Sequence, residues 1–154
     1  MALHKQGLDY YAHSIGMTTG VRMSSIRRLY GSVGVDVWLT LLDLIYKDRG
    51  YYLPYSQFER SDVLWEISGR LRGKDSPDEE TVGKIIDELI HEGFFDLDMV
   101  GEGILTSVQI QEQFYLSTLK RKHVEIEQQY WLLSIARMTI LAKKSPILLS
   151  MLAE

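Results

Sequence analysis

Residues 35–46 are apolar on every helical face, and this feature most constrains how the chain can fold. Apolar residues follow the helical spacing i, i+3, i+4, i+7 along one face: Val35, Trp38, Leu39, Leu42, Ile45 and Tyr46. The remaining faces are apolar too, because they carry Val37, Leu41 and Leu44. A helix that is hydrophobic all round must be enclosed by other elements. We therefore expect a central buried helix that ends near Gly50, in a chain of 154 residues that forms one domain.

Capping residues and glycines predict further helices around this one. Ser56 and Glu59 stand in the S-x-x-E arrangement that closes a first helical turn, and the signal repeats from Ser76 to Glu79, with Pro77 at the first helical position. We expect Gly31 to end a short helix and Ser107 to cap a later one. The predicted helices are 21–30, 56–72, 78–92 and 107 to about 122.

Extended segments complete the predicted fold. Residues 8–15 suit a short strand or an extended arm, residues 51–53 are extended before Pro54, and residues 94–106 read as two strands around a glycine-rich turn. The order helix, helix, strand, helix, helix, hairpin predicts a domain of the α+β class that is mainly α. It is typical of a winged helix-turn-helix in which residues 94–106 form the wing. An α+β domain of other topology is the alternative. We divide the chain into a domain, 1–123, and an apolar extension, 124–154, whose first part is a helix or a strand.

Composition and charge exclude several classes of function for this chain. The chain has no cysteine, which excludes disulfides, thiolate-bound zinc and thiol catalysis. It has neither a secretory signal nor an apolar run long enough to cross a membrane, so we expect a cytoplasmic protein without membrane partners. Residues 75–112 carry Lys84 against eleven acidic side chains, and most of these fall on the helix predicted for 78–92. Insertion of that helix into a DNA groove would bring carboxylates towards phosphates, which repel them.

Three basic clusters are the candidate DNA contacts: Arg22, Arg27 and Arg28; Arg70, Arg72 and Lys74; and Lys120, Arg121 and Lys122. They would contact the DNA backbone and carry little sequence information. Basic residues at the carboxyl ends of helices are also expected from capping and dipole effects alone, so both interpretations stay open.

Catalytic and metal-binding patterns are weak. The histidines, His4, His13, His91 and His123, lack the spacing of a helical metal site, and residues 69–74 lack the spacing of a phosphate loop. We expect no catalysis, no cofactor and no metal. The candidate protein interface consists of aromatic residues in the extended segments and in the apolar extension 124–154, which we call the tail: Tyr10, Tyr11, Tyr51, Tyr52, Tyr130 and Trp131. Because so much apolar surface cannot stay in water, we expect the tail to dock, preferably on another copy.

Four segments resemble a known family: GLDYYAHSIG, VDVWLTLLDLIYKDRGYYLPYSQFE, ELIHEGFFDLDM and ILTSVQIQEQFYLSTLKRK. Together they are similar to the winged-helix amino-terminal domain of DnaD-like replication proteins of phages and prophages, over residues 6 to about 123. The resemblance implies a non-enzymatic replication module that associates with itself and with replication proteins, with weak DNA binding as the alternative. It supplies no site residues.

Overall fold

The computed structural model describes residues 5–144, and this part of the chain is mainly helical with one two-stranded sheet. The class is therefore α+β, mainly α, as predicted. The elements are α1 (Val21–Tyr30), α2 (Ser32–Lys47), β1 (Leu53–Pro54), α3 (Arg60–Arg70), α4 (Glu79–His91), α5 (Leu97–Gly101), β2 (Ile104–Leu105), α6 (Val108–Ser117), a 3-10 turn (Gln128–Tyr130) and α7 (Ile135–Lys144). None of the helices in this range is long and apolar enough to cross a membrane.

Helix α2 lies at the centre of the core, as its sequence predicts. Val37, Leu41 and Ile45 are wholly inaccessible to solvent, and α1, α3 and α4 pack around them. Gly34 allows the close approach of α1, because a Cβ atom there would lie 2.5 Å from the Ile26 side chain. The wide apolar surface of α2 is thus explained by packing against three helices, and only a narrow side with Asp36, Asp43 and Lys47 is exposed.

The predicted wing hairpin is wrong in its first half. Residues 97–101 form α5 because the Asp96 side chain accepts a hydrogen bond from the Met99 amide at 3.0 Å and so caps a helix. Strand β2 pairs antiparallel with β1, in the register Leu53 with Leu105 and Pro54 with Ile104. Within the described range the second predicted strand therefore pairs with β1, and the first predicted strand is replaced by α5.

Several helix ends also differ from prediction. Helix α3 begins at Arg60, although the Ser56 amide donates to the Glu59 carboxylate at 2.9 Å as the capping pattern predicts. Helix α4 is capped by Asp78, whose side chain accepts from the Thr81 amide, and the expected Ser76 cap is wrong. Helix α6 ends at Ser117 rather than near residue 122. Residues 8–14 form neither a strand nor a helix, and a turn begins at Ile15; we call residues 5–14 the amino-terminal arm.

Candidate protein-interaction surface

Helix α3 exposes two large aromatic side chains on its outward side. Phe58, in the turn before the helix, is 79% exposed, and Trp65 is 64% exposed, whereas the opposite side of the helix is buried in the core. Within the helix, Asp62, Trp65 and Gly69 are spaced three and four residues apart and therefore lie on one side. Phe58 precedes them in the turn that the hydrogen bond from the Arg60 amide to the Ser56 carbonyl, at 3.0 Å, joins to the helix. We call this surface, Phe58, Ser61, Asp62, Trp65 and Gly69, the α3 face. Neighbouring exposed aromatic residues are typical of binding surfaces.

The charge along α3 changes sign from its start to its end. Glu59 and Asp62 lie at the start, and hydrogen bonding by the Ser56 hydroxyl holds the pKa of Glu59 below its usual value. The end carries the predicted cluster Arg70, Arg72 and Lys74. Arg70 pairs with Glu66 at 2.9 Å, while Arg72 and Lys74 are exposed and form none of the ion pairs seen within residues 5–144.

Helix α4 presents an acidic surface beside α3. Its outward positions carry Glu79, Glu80 and Asp87, and the exposed Lys84 is paired with Glu80 at 3.3 Å. The side chains of Val82, Ile85, Ile86 and Leu89 face the core. The exposed side of α4 therefore carries net negative charge, which opposes its approach to a nucleic acid.

Three of the nine predicted DNA-contacting residues hold the chain's own backbone. Arg22 donates to the Gly93 carbonyl at 2.9 Å, and Arg27 donates to the Thr18 carbonyl at 3.1 Å. The Arg121 guanidinium donates to three consecutive carbonyls of the amino-terminal arm, those of Lys5, Gln6 and Gly7. Arg28, Lys120 and Lys122 are exposed and, like Arg72 and Lys74, form no ion pair in the described range. None of the hydrogen bonds or ion pairs within residues 5–144 joins one of the three clusters to another.

The aromatic residues predicted as an interface mostly contact one another. Tyr51 and Tyr52 are buried, Trp131 packs on Tyr51 with ring centroids 5.2 Å apart, and Tyr130 packs on Tyr52 at 4.9 Å. Tyr10 differs from them, since it is 86% exposed on the arm. The arm's other candidate is half-buried: Tyr11 lies against Tyr46, with ring centroids 4.5 Å apart.

Polar contacts fix the described part of the tail to the core. The Tyr51 hydroxyl accepts from the Glu127 amide at 2.7 Å, and the Tyr52 hydroxyl donates to the Glu127 carboxylate at 3.0 Å. Burial, followed by this hydrogen bond, raises the pKa of Tyr52 to about 12. The extended part of residues 124–134 is thus docked on the chain's own domain, whereas we expected another copy.

Gln111 on α6 is the central contact of this docking. Its amide nitrogen donates to the Tyr130 carbonyl at 2.8 Å and to the Thr106 hydroxyl at 3.1 Å, and its oxygen accepts from the Leu132 amide at 2.6 Å. Beyond it, α7 packs on α6, and Arg137 pairs with Glu112 at 2.7 Å. The apolar residues 147–152, on which the self-association prediction partly relied, lie outside the described residues.

Two features were not found from the sequence. Trp65 falls outside the apolar spacing of Leu64, Ile67 and Leu71, and that offset was the available signal for its exposure. Glu88, His91 and Glu92 offer three possible ligand atoms within 4.8 Å of one another, so His91 does have carboxylate neighbours, one three residues before it and one directly after it. Exposed groups of this kind are common without an ion.

Comparison with known proteins gives the following. Residues 10–110 match the family described as Lin1244/Lin1753-like, N-terminal. The chain is 25% identical over 130 residues to the uncharacterized phage-related protein Lin1244/Lin1753 of Listeria innocua serovar 6a. That match covers 84% of this chain and 40% of the relative, so the chain spans less than half of the relative's length. No solved structure matches the chain.

Proposed function

The chain belongs to the Lin1244/Lin1753-like N-terminal family, and on that premise we propose that it is a protein-interaction module of a phage-related protein. In this proposal the module acts without catalysis and brings together the components of a DNA replication assembly. The α3 face is its principal contact surface.

The exposure of Phe58 and Trp65 is the observation that carries the proposal. Aromatic side chains are enriched in protein interfaces, and tryptophan is among the residues that contribute most to binding. The neighbouring outward side of α4 is acidic, which disfavours a nucleic acid as the ligand of this region. A protein partner is compatible with both features.

The replication role rests on the resemblance to DnaD-like proteins. The order of α2, β1, α3, α4 and β2 supports a variant of the winged helix in which α5 replaces the first strand of the wing. In this variant α3 and α4 take the places of the two helices of the helix-turn-helix motif. The fold variant and the replication role are both part of the proposal.

Direct DNA binding is the second candidate function. The exposed side chains of Arg28, Arg72, Lys74, Lys120 and Lys122 favour it, because none of them forms an ion pair within the described range and each could neutralise a phosphate. Such binding would be weak, would fall steeply with added salt, and would show little sequence preference.

Size-exclusion chromatography with light scattering, run with and without a short DNA duplex, tests the two candidates together. An interaction module that associates with itself should exceed the monomer mass of 17.8 kDa without DNA. Replacing Trp65 with alanine should lower that mass, and replacing Lys120 and Lys122, which lie outside the α3 face, should leave it unchanged. A chain that stays monomeric and elutes with the duplex, in a manner that depends on Arg72 and Lys74, would contradict the proposal and favour DNA binding.

A further inference from the structure

Gly69 occupies an exposed position in the last turn of α3 that the chain's own fold does not explain. A Cβ atom built there would meet no other atom within 4 Å, and the residue does not have a positive φ angle. Glycine destabilises a helix interior relative to alanine, because it loses more backbone freedom on folding. Gly69 lowers the stability of the helix and allows no close contact within the chain, so its small size points to a contact with another molecule.

At two other helical glycines, a close contact within the chain explains why the residue has no side chain. At Gly34 a Cβ atom would lie 2.5 Å from the Ile26 side chain, and at Gly83 it would lie 2.7 Å from the Arg60 guanidinium. Both positions are small because a neighbouring element approaches closely. Gly69 and Gly101 both have open space instead, but Gly69 alone of the two lies one helical turn from the exposed Trp65, so we take the space at Gly69 as room for an element of another molecule.

The α3 face pairs this small residue with a large one. Phe58 lies in the turn before the helix, eleven residues ahead of Gly69, which corresponds to about 16 Å where such a turn continues the helix axis. If two copies of α3 pack antiparallel, Phe58 of each copy lies over Gly69 of the other. A two-fold axis would pass between Asp62 and Trp65, so both contacts form at once, as a self-complementary interface requires.

Charge favours the same orientation. The start of the surface carries Glu59 and Asp62, and the basic Arg60 between them pairs with Asp87 of α4 at 3.9 Å. Its end carries Arg72 and Lys74, which form no ion pair within residues 5–144, and Arg70, which pairs with Glu66. An antiparallel pair places the acidic start of each helix beside the basic end of the other, whereas a parallel pair would place like charges together. The surface as a whole carries both signs, so it lacks the uniform positive charge that a nucleic acid would require.

We propose that this protein forms a two-fold dimer in which the α3 faces of two copies pack antiparallel, with Phe58 of each copy seated on Gly69 of the other. The inference rests on the proposed function, since it names a second copy of the chain as the partner of that surface. Trp65 lies next to the axis and is buried from both sides.

Sedimentation equilibrium of the full chain and its variants tests this geometry. Gly69→Gln should raise the thermal midpoint measured at concentrations where the chain is monomeric, since glutamine is the better helix former, and should weaken the dimer. Trp65→Ala should weaken dimerisation by more than about tenfold, as expected for a central interface aromatic. The controls are Gly101→Gln, at another glycine with open space around it, and Leu97→Ala, at another apolar side chain that is 66% exposed.

Disulfide trapping gives an independent readout, because the natural chain contains no cysteine. Asp62→Cys lies next to the proposed axis and should give a disulfide-linked dimer under mild oxidation, and Ser24→Cys, exposed on α1, should not. If the chain dimerises but Gly69→Gln and Trp65→Ala leave its affinity unchanged, the α3 pairing is wrong and the interaction function stands. If the natural chain is monomeric at high micromolar concentration and Asp62→Cys forms no more dimer than Ser24→Cys, self-association through this surface is refuted. Binding of another protein through Trp65 would then keep the proposed function and reject the second copy.

Discussion

Replacing Gln111 with leucine should release the tail from the core. The Gln111 side chain is fully buried and makes three hydrogen bonds, two as a donor and one as an acceptor. Leucine has a similar volume but cannot replace them, and each hydrogen bond contributes about 1 kcal/mol net. The free energy of unfolding should therefore fall by about 3 kcal/mol, a large part of the 5–15 kcal/mol typical of a domain.

Urea denaturation and limited proteolysis together measure this effect. Gln111→Leu should lower the urea midpoint and speed cleavage within residues 124–134, because the Tyr130 carbonyl and the Leu132 amide lose their partner. Gln113→Leu is the matched control, since Gln113 lies on the same helix and donates only to the Ser117 hydroxyl, at 3.0 Å. Equal effects of the two substitutions on stability and on cleavage would refute the view that the Gln111 amide fixes the tail.

Three further predictions concern the core, a helix cap and pH. Leu89→Ala should lower the free energy of unfolding by about 2–5 kcal/mol in a urea titration, because Leu89 is completely buried. A loss no larger than that of Leu97→Ala, at a side chain that is 66% exposed, would place α4 outside the core. Asp78→Ala should lower the thermal midpoint and Ser76→Ala should not, since Asp78 makes the cap; the reverse order would refute this assignment. The pKa of Tyr52 is about 12 in the folded chain against 10.0 ordinarily, so its contribution to stability is complete below pH 10 and is lost as the pH rises towards 12. Stability measured over this range in Tyr52→Phe should fall less steeply than in the natural chain, and identical slopes would contradict the prediction.

The sequence predicts the helices whose hydrophobic pattern and end signals agree. Helix α1 has the predicted bounds of 21–30, with Gly31 at a φ of 66° just after its last residue. Helix α4 differs from prediction by one residue at each end, and its buried face is the one that the spacing of Val82, Ile85, Ile86 and Leu89 indicates. In these segments the local pattern and the packing of the fold lead to the same answer.

The predictions are wrong where a local sequence pattern fits two structures, or where residues distant in the sequence determine the structure. Residues 94–100 alternate in polarity as a strand does, but Asp96 can also cap a helix, and the cap prevails. The docking of the tail depends on Gln111 and Glu127, whose partners lie far away in the sequence, so no local pattern could predict it. Whether an aromatic residue such as Tyr52 or Trp65 is buried or exposed likewise depends on the neighbours that the complete fold provides.

The mass of the natural full-length chain in solution, measured by sedimentation equilibrium from low to high micromolar concentration without DNA, tests the central claim most directly. An interaction module that pairs through its α3 face should shift from the monomer mass of 17.8 kDa towards twice that value, and the shift should be lost in Trp65→Ala. A mass that stays at 17.8 kDa over the whole range would contradict self-association through this surface.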